Sequence, residues 1–65
     1  MKNDEPIPLF STYSYVKCKN ISYYILKIKT YNTEKDTFLD EAEYYCKSVS
    51  DGSLSWFKES ELDFQ

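Results

Sequence analysis

Polar and apolar residues alternate along two segments in the first half of the chain. In residues 12–20, TYSYVKCKN, tyrosine and lysine fall on one side of an extended chain, and Val16 and Cys18 fall on the other. The alternation resumes in residues 23–31, YYILKIKTY, after a turn that we place at residues 20–22. A period of two is typical of half-buried strands, so this half predicts an antiparallel hairpin.

A polar segment, residues 32–37 (NTEKDT), separates the hairpin from a third strand that would point Tyr44 and Cys46 inward. A helix over residues 34–45 competes with this strand, because EKDTFLDEAEYY has acceptable helix propensity. Threonine and the paired aromatic residues favour the strand. Residues 38–43 therefore stay open between strand and helix.

The end of the chain carries its strongest local signals, which include the only glycine and the only tryptophan. Asp51-Gly52 predicts a tight hairpin turn over residues 50–53, because glycine tolerates the positive φ that such a turn requires. LSWF then returns as a strand and directs Trp56 into the core. KES suits a single 3-10 turn, and ELDF a last short strand.

These elements predict an all-β fold, a small five-stranded half-open barrel with one 3-10 turn before the last strand. Residues 1–10 form an extended N-terminal arm, because Pro6 and Pro8 disfavour a helix, and residues 11–65 form a single barrel domain. The predicted core consists of the inward-facing apolar residues of the strands: Val16, Tyr24, Leu26, Ile28, Tyr44, Leu54, Trp56 and Leu62.

The last third of the chain combines a strand, Asp-Gly, a strand with tryptophan, and Glu-Ser-Glu-Leu. The residues that carry this pattern are Tyr44, Asp51, Gly52, Trp56, Glu59, Ser60, Glu61 and Leu62. In this pattern the chain resembles the SH3-like barrels, particularly the Tudor and KOW-type domains and small uncharacterised bacterial and phage proteins. The first half lacks the glycine of KOW motifs and the acidic loop of peptide-binding SH3 domains, so the resemblance implies a fold rather than a ligand.

Catalysis, cofactors and metal sites are not expected. The sequence contains no histidine, and its two cysteines have no other soft ligand beside them. Carboxylates cluster at residues 40–43 and 59–63, where we expect a solvated acidic surface. Cys18 and Cys46 are expected to be free thiols buried in the core, although a disulfide between two inner faces is an open alternative.

The N-terminus has charges and two prolines where a signal peptide would need an apolar segment, so a cytoplasmic setting is expected. The net charge of −3 is unevenly distributed along the chain. Residues 11–33 contain four lysines and no acid, whereas residues 34–65 contain three lysines and nine acids. The carboxylates of residues 34–65 could imitate an array of phosphate groups, so an inhibitor that mimics nucleic acid is one function to consider.

Aromatic residues and lysines interleave on the outer side of the predicted hairpin. The candidate binding residues for protein or nucleic acid are Tyr13, Tyr15, Lys17, Lys19, Tyr23, Lys27, Lys29, Tyr31 and Tyr45. The first interpretation is a non-enzymatic module that binds a protein partner or a second copy of itself, because tyrosine is enriched at interfaces. The second is single-stranded nucleic-acid binding, and the third is an ordinary solvated strand surface. The many lysines, asparagines, isoleucines and tyrosines are typical of proteins from AT-rich genomes. This composition and the short chain suit a phage or mobile-element accessory protein.

Overall fold

The computed structural model describes residues 4–65, which form an open antiparallel sheet of five strands. The elements are β1 (Tyr15–Cys18), β2 (Ile21–Asn32), β3 (Thr37–Ser48), β4 (Leu54–Lys58), a 3-10 helix (Glu59–Glu61) and β5 (Asp63–Phe64). The strand order is β4-β3-β2-β1-β5, so β4 and β5 are the two edges. The predicted all-β fold, with an open five-stranded sheet and one 3-10 turn before the last strand, is confirmed.

Residues 38–43 belong to β3, so the competing helix does not form. Over residues 4–65 no helix is long and apolar enough to cross a membrane. The first three residues of the predicted N-terminal arm lie outside the described residues. The division into an arm and a domain at residue 11 stays a prediction.

The first hairpin turns more tightly than the sequence pattern suggests. Lys19 and Asn20 both have positive φ, 52° and 68°, and form a two-residue turn in place of the predicted one at residues 20–22. Such turns match the right-handed twist of the strands they join. Cys18 therefore pairs with Ile21, and Val16 lies opposite Tyr23. Directly opposite residues share a face, so Tyr23 is on the inner side with Val16.

A β-bulge in β2 then reverses the alternation. The register with β3 shifts between Ile25 and Lys27, so Leu26 is the extra residue. Before the bulge Ile25 points inward and is fully buried, whereas after it Ile28 packs against the core. The prediction that Tyr24 and Leu26 share the core with Ile28 is therefore wrong, because a strict period of two does not continue through a bulge.

The second hairpin turns at Asp51-Gly52 as predicted, and its loop covers residues 49–53, one residue more than expected. Gly52 adopts a φ of 77°, its N–H donates to the Ser48 carbonyl over 2.9 Å, and the Ser48 N–H donates to the Ser53 carbonyl over 2.8 Å. The Asp51 carboxylate accepts the Ser53 N–H at 2.9 Å, which stabilises the turn. β4 begins at Leu54, as expected for the returning strand.

The core lies on the inner side of the curved sheet. Its buried apolar members are Phe10, Val16, Cys18, Ile25, Ala42, Tyr44, Cys46 and Leu62. Predicted core residues Val16, Tyr44 and Leu62 are thus confirmed. Leu54 and Trp56 are wrong predictions, with 51% and 48% of their surface exposed. In β4 it is Phe57 that lies opposite the inward-facing Tyr44, so the residues on either side of Phe57 point outward.

The segment before β1 is joined to the core at Leu9 and Phe10. The Phe10 ring packs edge-on against Tyr44 and Phe64, with centroids 5.5 and 4.9 Å away. The Leu9 N–H donates to the Glu59 carboxylate over 2.8 Å. Edge-to-face aromatic pairs of this kind contribute about 0.5–1.5 kcal/mol beyond their buried area. Phe10 therefore fixes the chain between β3 and β5.

A candidate binding face on the outside of the sheet

The side of the sheet that points away from the core carries three cross-strand rows of side chains. Residues directly opposite each other in antiparallel strands project to the same side. Read from β4 towards β1, the rows are Leu54, Lys47, Tyr24 and Tyr15; Trp56, Tyr45 and Lys27; and Lys58, Glu43 and Lys29. These ten residues are called the outer face.

Trp56 and Tyr45 form the aromatic centre of the outer face. Their ring centroids are 5.0 Å apart with an interplanar angle of 40°. Lys27 completes the row on the other side of Tyr45 and is exposed. Trp56 leaves nearly half of its surface in solvent, although it is one of the largest apolar groups available to a chain of this size. A tryptophan placed this way is available to a partner rather than to the core.

A second aromatic group lies in the first row, at the junction of β1 and β2. The Tyr24 ring is 5.0 Å from the Tyr15 ring and 6.1 Å from the Tyr13 ring. Tyr13 precedes β1, has a φ of 65°, and donates its N–H to the Ile25 carbonyl at 2.8 Å. That bond holds Tyr13 beside the outer face. The aromatic surface therefore extends from β4 to the start of β1.

Charge on this side of the sheet is opposite in sign to that of the whole chain. Lys17, which lies opposite Asp63 and Ser22, extends the outer side into β1 and β5. With this pair and Glu41, which projects to the same side of β3 as Glu43, the side carries five lysines and three carboxylates, a formal charge of +2, whereas the chain carries −3. The fold therefore collects lysines on one surface and leaves a net −5 for the rest of the chain.

The acidic residues around the 3-10 helix act as hydrogen-bond acceptors for the protein's own backbone. Glu41 accepts the Ser60 N–H at 2.7 Å, and Glu61 accepts the Lys58 N–H at 2.8 Å. These carboxylates satisfy donors that a helix start leaves unpaired. The sequence predicted a solvated acidic surface here and did not predict this structural role.

Tyr44 connects the core with the 3-10 helix and the N-terminal segment. Its hydroxyl donates to Glu59 over 2.7 Å and accepts the Phe10 N–H at 3.3 Å. Burial, together with the neighbouring Glu59 carboxylate, raises the pKa of Tyr44 to about 12. The hydroxyl therefore keeps its proton, and its role as a donor, throughout the neutral range.

The two cysteines lie in the core of the protein. Cys18 and Cys46 are buried and free, as the sequence predicted. Burial, followed by the nearby Cys18, raises the pKa of Cys46 to about 11, so its thiol is protonated and weakly nucleophilic at neutral pH. Among residues 4–65 no three histidine, cysteine, aspartate or glutamate side chains are grouped so that they could hold a metal ion.

The structure brings together only part of the predicted binding set. The predicted residues that lie on the outer side of the sheet are Tyr15, Lys17, Lys27, Lys29 and Tyr45, and Tyr13 adjoins them. Lys19 is exposed in the first turn. Tyr23 points inward, where its ring packs 4.7 Å from Phe57. Tyr31 lies past the second register shift, against Phe38 and hydrogen-bonded to Asp36.

Six residues of the outer face were absent from the predicted set: Tyr24, Glu43, Lys47, Leu54, Trp56 and Lys58. The signal that could have identified Tyr24 is the two-residue turn at Lys19-Asn20, which places Tyr23 opposite Val16 and so turns Tyr24 outward. Trp56 and Phe57 compete for the core in adjacent positions, and apolarity alone gives no reason to prefer the smaller ring.

Comparisons with protein-family models, with curated proteins and with solved structures find no match to this chain.

Proposed function

We propose that this protein is a small non-enzymatic binding module that acts by protein–protein interaction through the outer face. The observation that carries this proposal is the half-exposed Trp56 packed against Tyr45, with lysines around it. Tryptophan and tyrosine dominate the few residues that supply most of the binding energy in protein interfaces. We further propose an accessory role in a phage or mobile element, for which brevity and composition are the support.

We also propose that the domain is an SH3-like barrel of the Tudor and KOW type. The order β4-β3-β2-β1-β5 supports this identity, as does the 3-10 helix directly before the last strand. β2 is twelve residues long, bends at its bulge, and pairs with both β1 and β3, which allows one strand to serve both halves of a half-open barrel.

Protein binding suits the outer face because its aromatic groups are rigid and partly preorganised. The Tyr45 and Trp56 rings already rest against each other, and Tyr15 rests against Tyr24. Ordering these side chains on binding therefore loses little conformational entropy, while each ring can still bury apolar area against a partner. Lysines at the margin would orient that partner by charge.

Single-stranded nucleic-acid binding is the second candidate function. Lys27 directly beside Tyr45, and Lys47 directly beside Tyr24, favour it. Proteins of that class combine cations that follow the phosphate backbone with aromatic rings on which bases stack.

Affinity capture from a lysate of the host cells tests the proposed function. Tagged wild-type protein is compared with a Tyr45→Ala/Trp56→Ala variant, and each lysate is divided into nuclease-treated and untreated halves. A Tyr31→Ala variant is the matched control, because Tyr31 is an aromatic residue of β2 away from the outer face.

We expect a stoichiometric protein that survives nuclease treatment, is lost with Tyr45→Ala/Trp56→Ala, and is kept by Tyr31→Ala. Recovery that disappears on nuclease treatment would replace the proposal by the nucleic-acid function. Equal capture by wild type and the double variant would rule out the outer face as the binding site.

A further inference from the structure

Resting on the proposed function, we propose that the outer face binds an extended, acidic segment of a partner protein. Carboxylates of that segment meet Lys27, Lys29 and Lys47, and an apolar side chain of the segment packs on Trp56.

Charge complementarity is the first observation that selects this occupant. The outer side carries +2 in a chain of net charge −3, and the lysines on it are exposed. The residues outside this side carry a net negative charge, which disfavours an acidic segment there. Electrostatic complementarity of this kind orients a partner and disfavours wrong registers.

The spacing of the rows matches an extended segment. Lys27 and Lys29 are two residues apart on β2 and belong to adjacent rows, and Tyr45 and Lys47 are related in the same way on β3. Alternate side chains of any extended chain are about 7 Å apart, the same period as these rows. A segment with acidic residues at alternate positions, lying along β2, therefore places one carboxylate over each of these two β2 lysines.

Two features favour an acidic protein segment over a nucleic-acid strand. Glu43 lies between Lys29 and Lys58 in its row, so the lysines form no uninterrupted track for a phosphate backbone. The aromatic rings are tilted against each other, at 40° for Tyr45 with Trp56 and 53° for Tyr15 with Tyr24. Rings packed in this way do not offer free, evenly spaced faces for successive bases.

The test is an NMR titration of the isotope-labelled full-length protein with three probes, in which the amide chemical shifts report binding. The probes are a synthetic glutamate–leucine peptide in which the glutamates and one leucine occupy alternate positions, with serine between them, so that they project to the same side; the same peptide with lysine for glutamate; and an oligothymidylate. A Lys27→Glu/Lys29→Glu variant reverses charge on the outer face. The matched control, Lys19→Glu/Lys35→Glu, makes the same charge change at exposed lysines outside it.

We expect saturable shifts confined to β2, β3 and β4 with the glutamate–leucine peptide, weakened as salt rises. Affinity should fall about tenfold or more in Lys27→Glu/Lys29→Glu, because two charge contacts are replaced by repulsion, and less than about threefold in the control. A Lys27→Gln/Lys29→Gln variant should give an intermediate loss, with a spectrum that reports an intact fold.

The proposal is overturned if the glutamate–leucine peptide gives no saturable shifts, if both charge-reversal variants weaken it equally, or if the oligothymidylate binds more tightly. Failure of the proposed function is recognised separately. If the capture experiment still loses its protein with Tyr45→Ala/Trp56→Ala while the acidic peptide does not bind, the outer face is a protein site and only the partner chemistry is wrong.

Discussion

The two sides of the sheet differ in the burial and hydrogen bonding of their polar and aromatic side chains. On the inner side, every buried side-chain nitrogen and oxygen among residues 4–65 has a hydrogen-bond partner. Tyr44 there is fully buried and uses its hydroxyl both as donor and as acceptor. The next residue, Tyr45, is only half-buried on the outer side and packs on an exposed tryptophan. Adjacent tyrosines thus point to opposite sides of the sheet: Tyr44 stabilises the core, and Tyr45 belongs to the face that we propose for recognition.

This difference shows how a chain of 65 residues can combine a packed core with exposed aromatic side chains on the opposite side of the sheet. A domain of this size has a free energy of unfolding of only about 3–10 kcal/mol. Placing Trp56 outside the core is therefore a substantial loss of buried apolar area, which Phe10 and Phe57 partly make up on the inner side. We expect changes to the inner side to alter folding and changes to the outer side to alter binding.

The largest expected effect is loss of stability at alkaline pH. Burial raises the pKa of Cys46 from 9.0 to about 11 and that of Tyr44 from 10.0 to about 12. Both groups are thus harder to ionise in the folded than in the unfolded protein. Their contribution to the free energy of unfolding is therefore complete below about pH 9 and is lost as the pH rises towards 12. Both shifts act in the same direction, so the free energy of unfolding should fall steadily across this pH range.

Circular dichroism against pH measures this loss, with urea unfolding at each pH. Comparison with a Cys46→Ala variant isolates the contribution of the thiol, because the stability of this variant should begin to fall about one pH unit later than that of the wild type. Identical alkaline profiles for wild type and Cys46→Ala would contradict the assignment.

Ile25→Ala should lower the free energy of unfolding by about 3 kcal/mol, because it leaves a cavity at a fully buried position. Trp56→Ala removes a larger side chain and should lower it by less than about 1 kcal/mol, because its ring is half in solvent. Urea unfolding of both variants measures the contrast. A larger loss for Trp56→Ala than for Ile25→Ala would mean that the assignment of the two sides is reversed.

Tyr44→Phe and Tyr45→Phe compare the same chemical change on the two sides. Tyr44→Phe leaves the buried Phe10 N–H without its acceptor and should lower the free energy of unfolding by about 1–3 kcal/mol. Tyr45→Phe should be within about 0.5 kcal/mol of wild type, because its hydroxyl is on the outer side. Thermal unfolding of the pair measures the difference, and equal losses would contradict the role assigned to Tyr44.

Gly52→Ala should have the smallest effect, a loss of about 1 kcal/mol. An added Cβ would meet only the Lys47 Cε at 3.6 Å, an ordinary contact, so the loss comes from the backbone at a φ of 77°. Gly52→Asn should recover part of it, since asparagine tolerates this conformation better. The urea concentrations at the unfolding midpoints of the two variants and the wild type measure these differences. A Gly52→Ala variant as stable as the wild type would exclude backbone strain at this turn.

Local sequence features were sufficient to predict the second hairpin and the fold class. Asp51-Gly52 determines its own turn, because one residue there must take a positive φ. The local sequence also predicted the short 3-10 helix, although one residue too early, at residues 58–60 instead of 59–61.

The faces of β2 could not be predicted from alternation alone. YYIL, residues 23–26, is apolar at every position and fits either phase, so the bulge at Leu26 decides which residues face inward. Bulges and turn lengths are fixed by pairing between distant strands, which no local pattern contains. This is why Tyr23 entered the predicted binding set and Tyr24 did not.

The central claim is that the outer face serves recognition and not stability, and the Tyr45→Ala/Trp56→Ala variant tests it most directly. Its free energy of unfolding and its capture of a nuclease-resistant partner are measured on the same preparation. We predict a loss of stability below about 2 kcal/mol together with complete loss of the partner. A folded variant that keeps the partner, or a variant that no longer folds, would contradict this account.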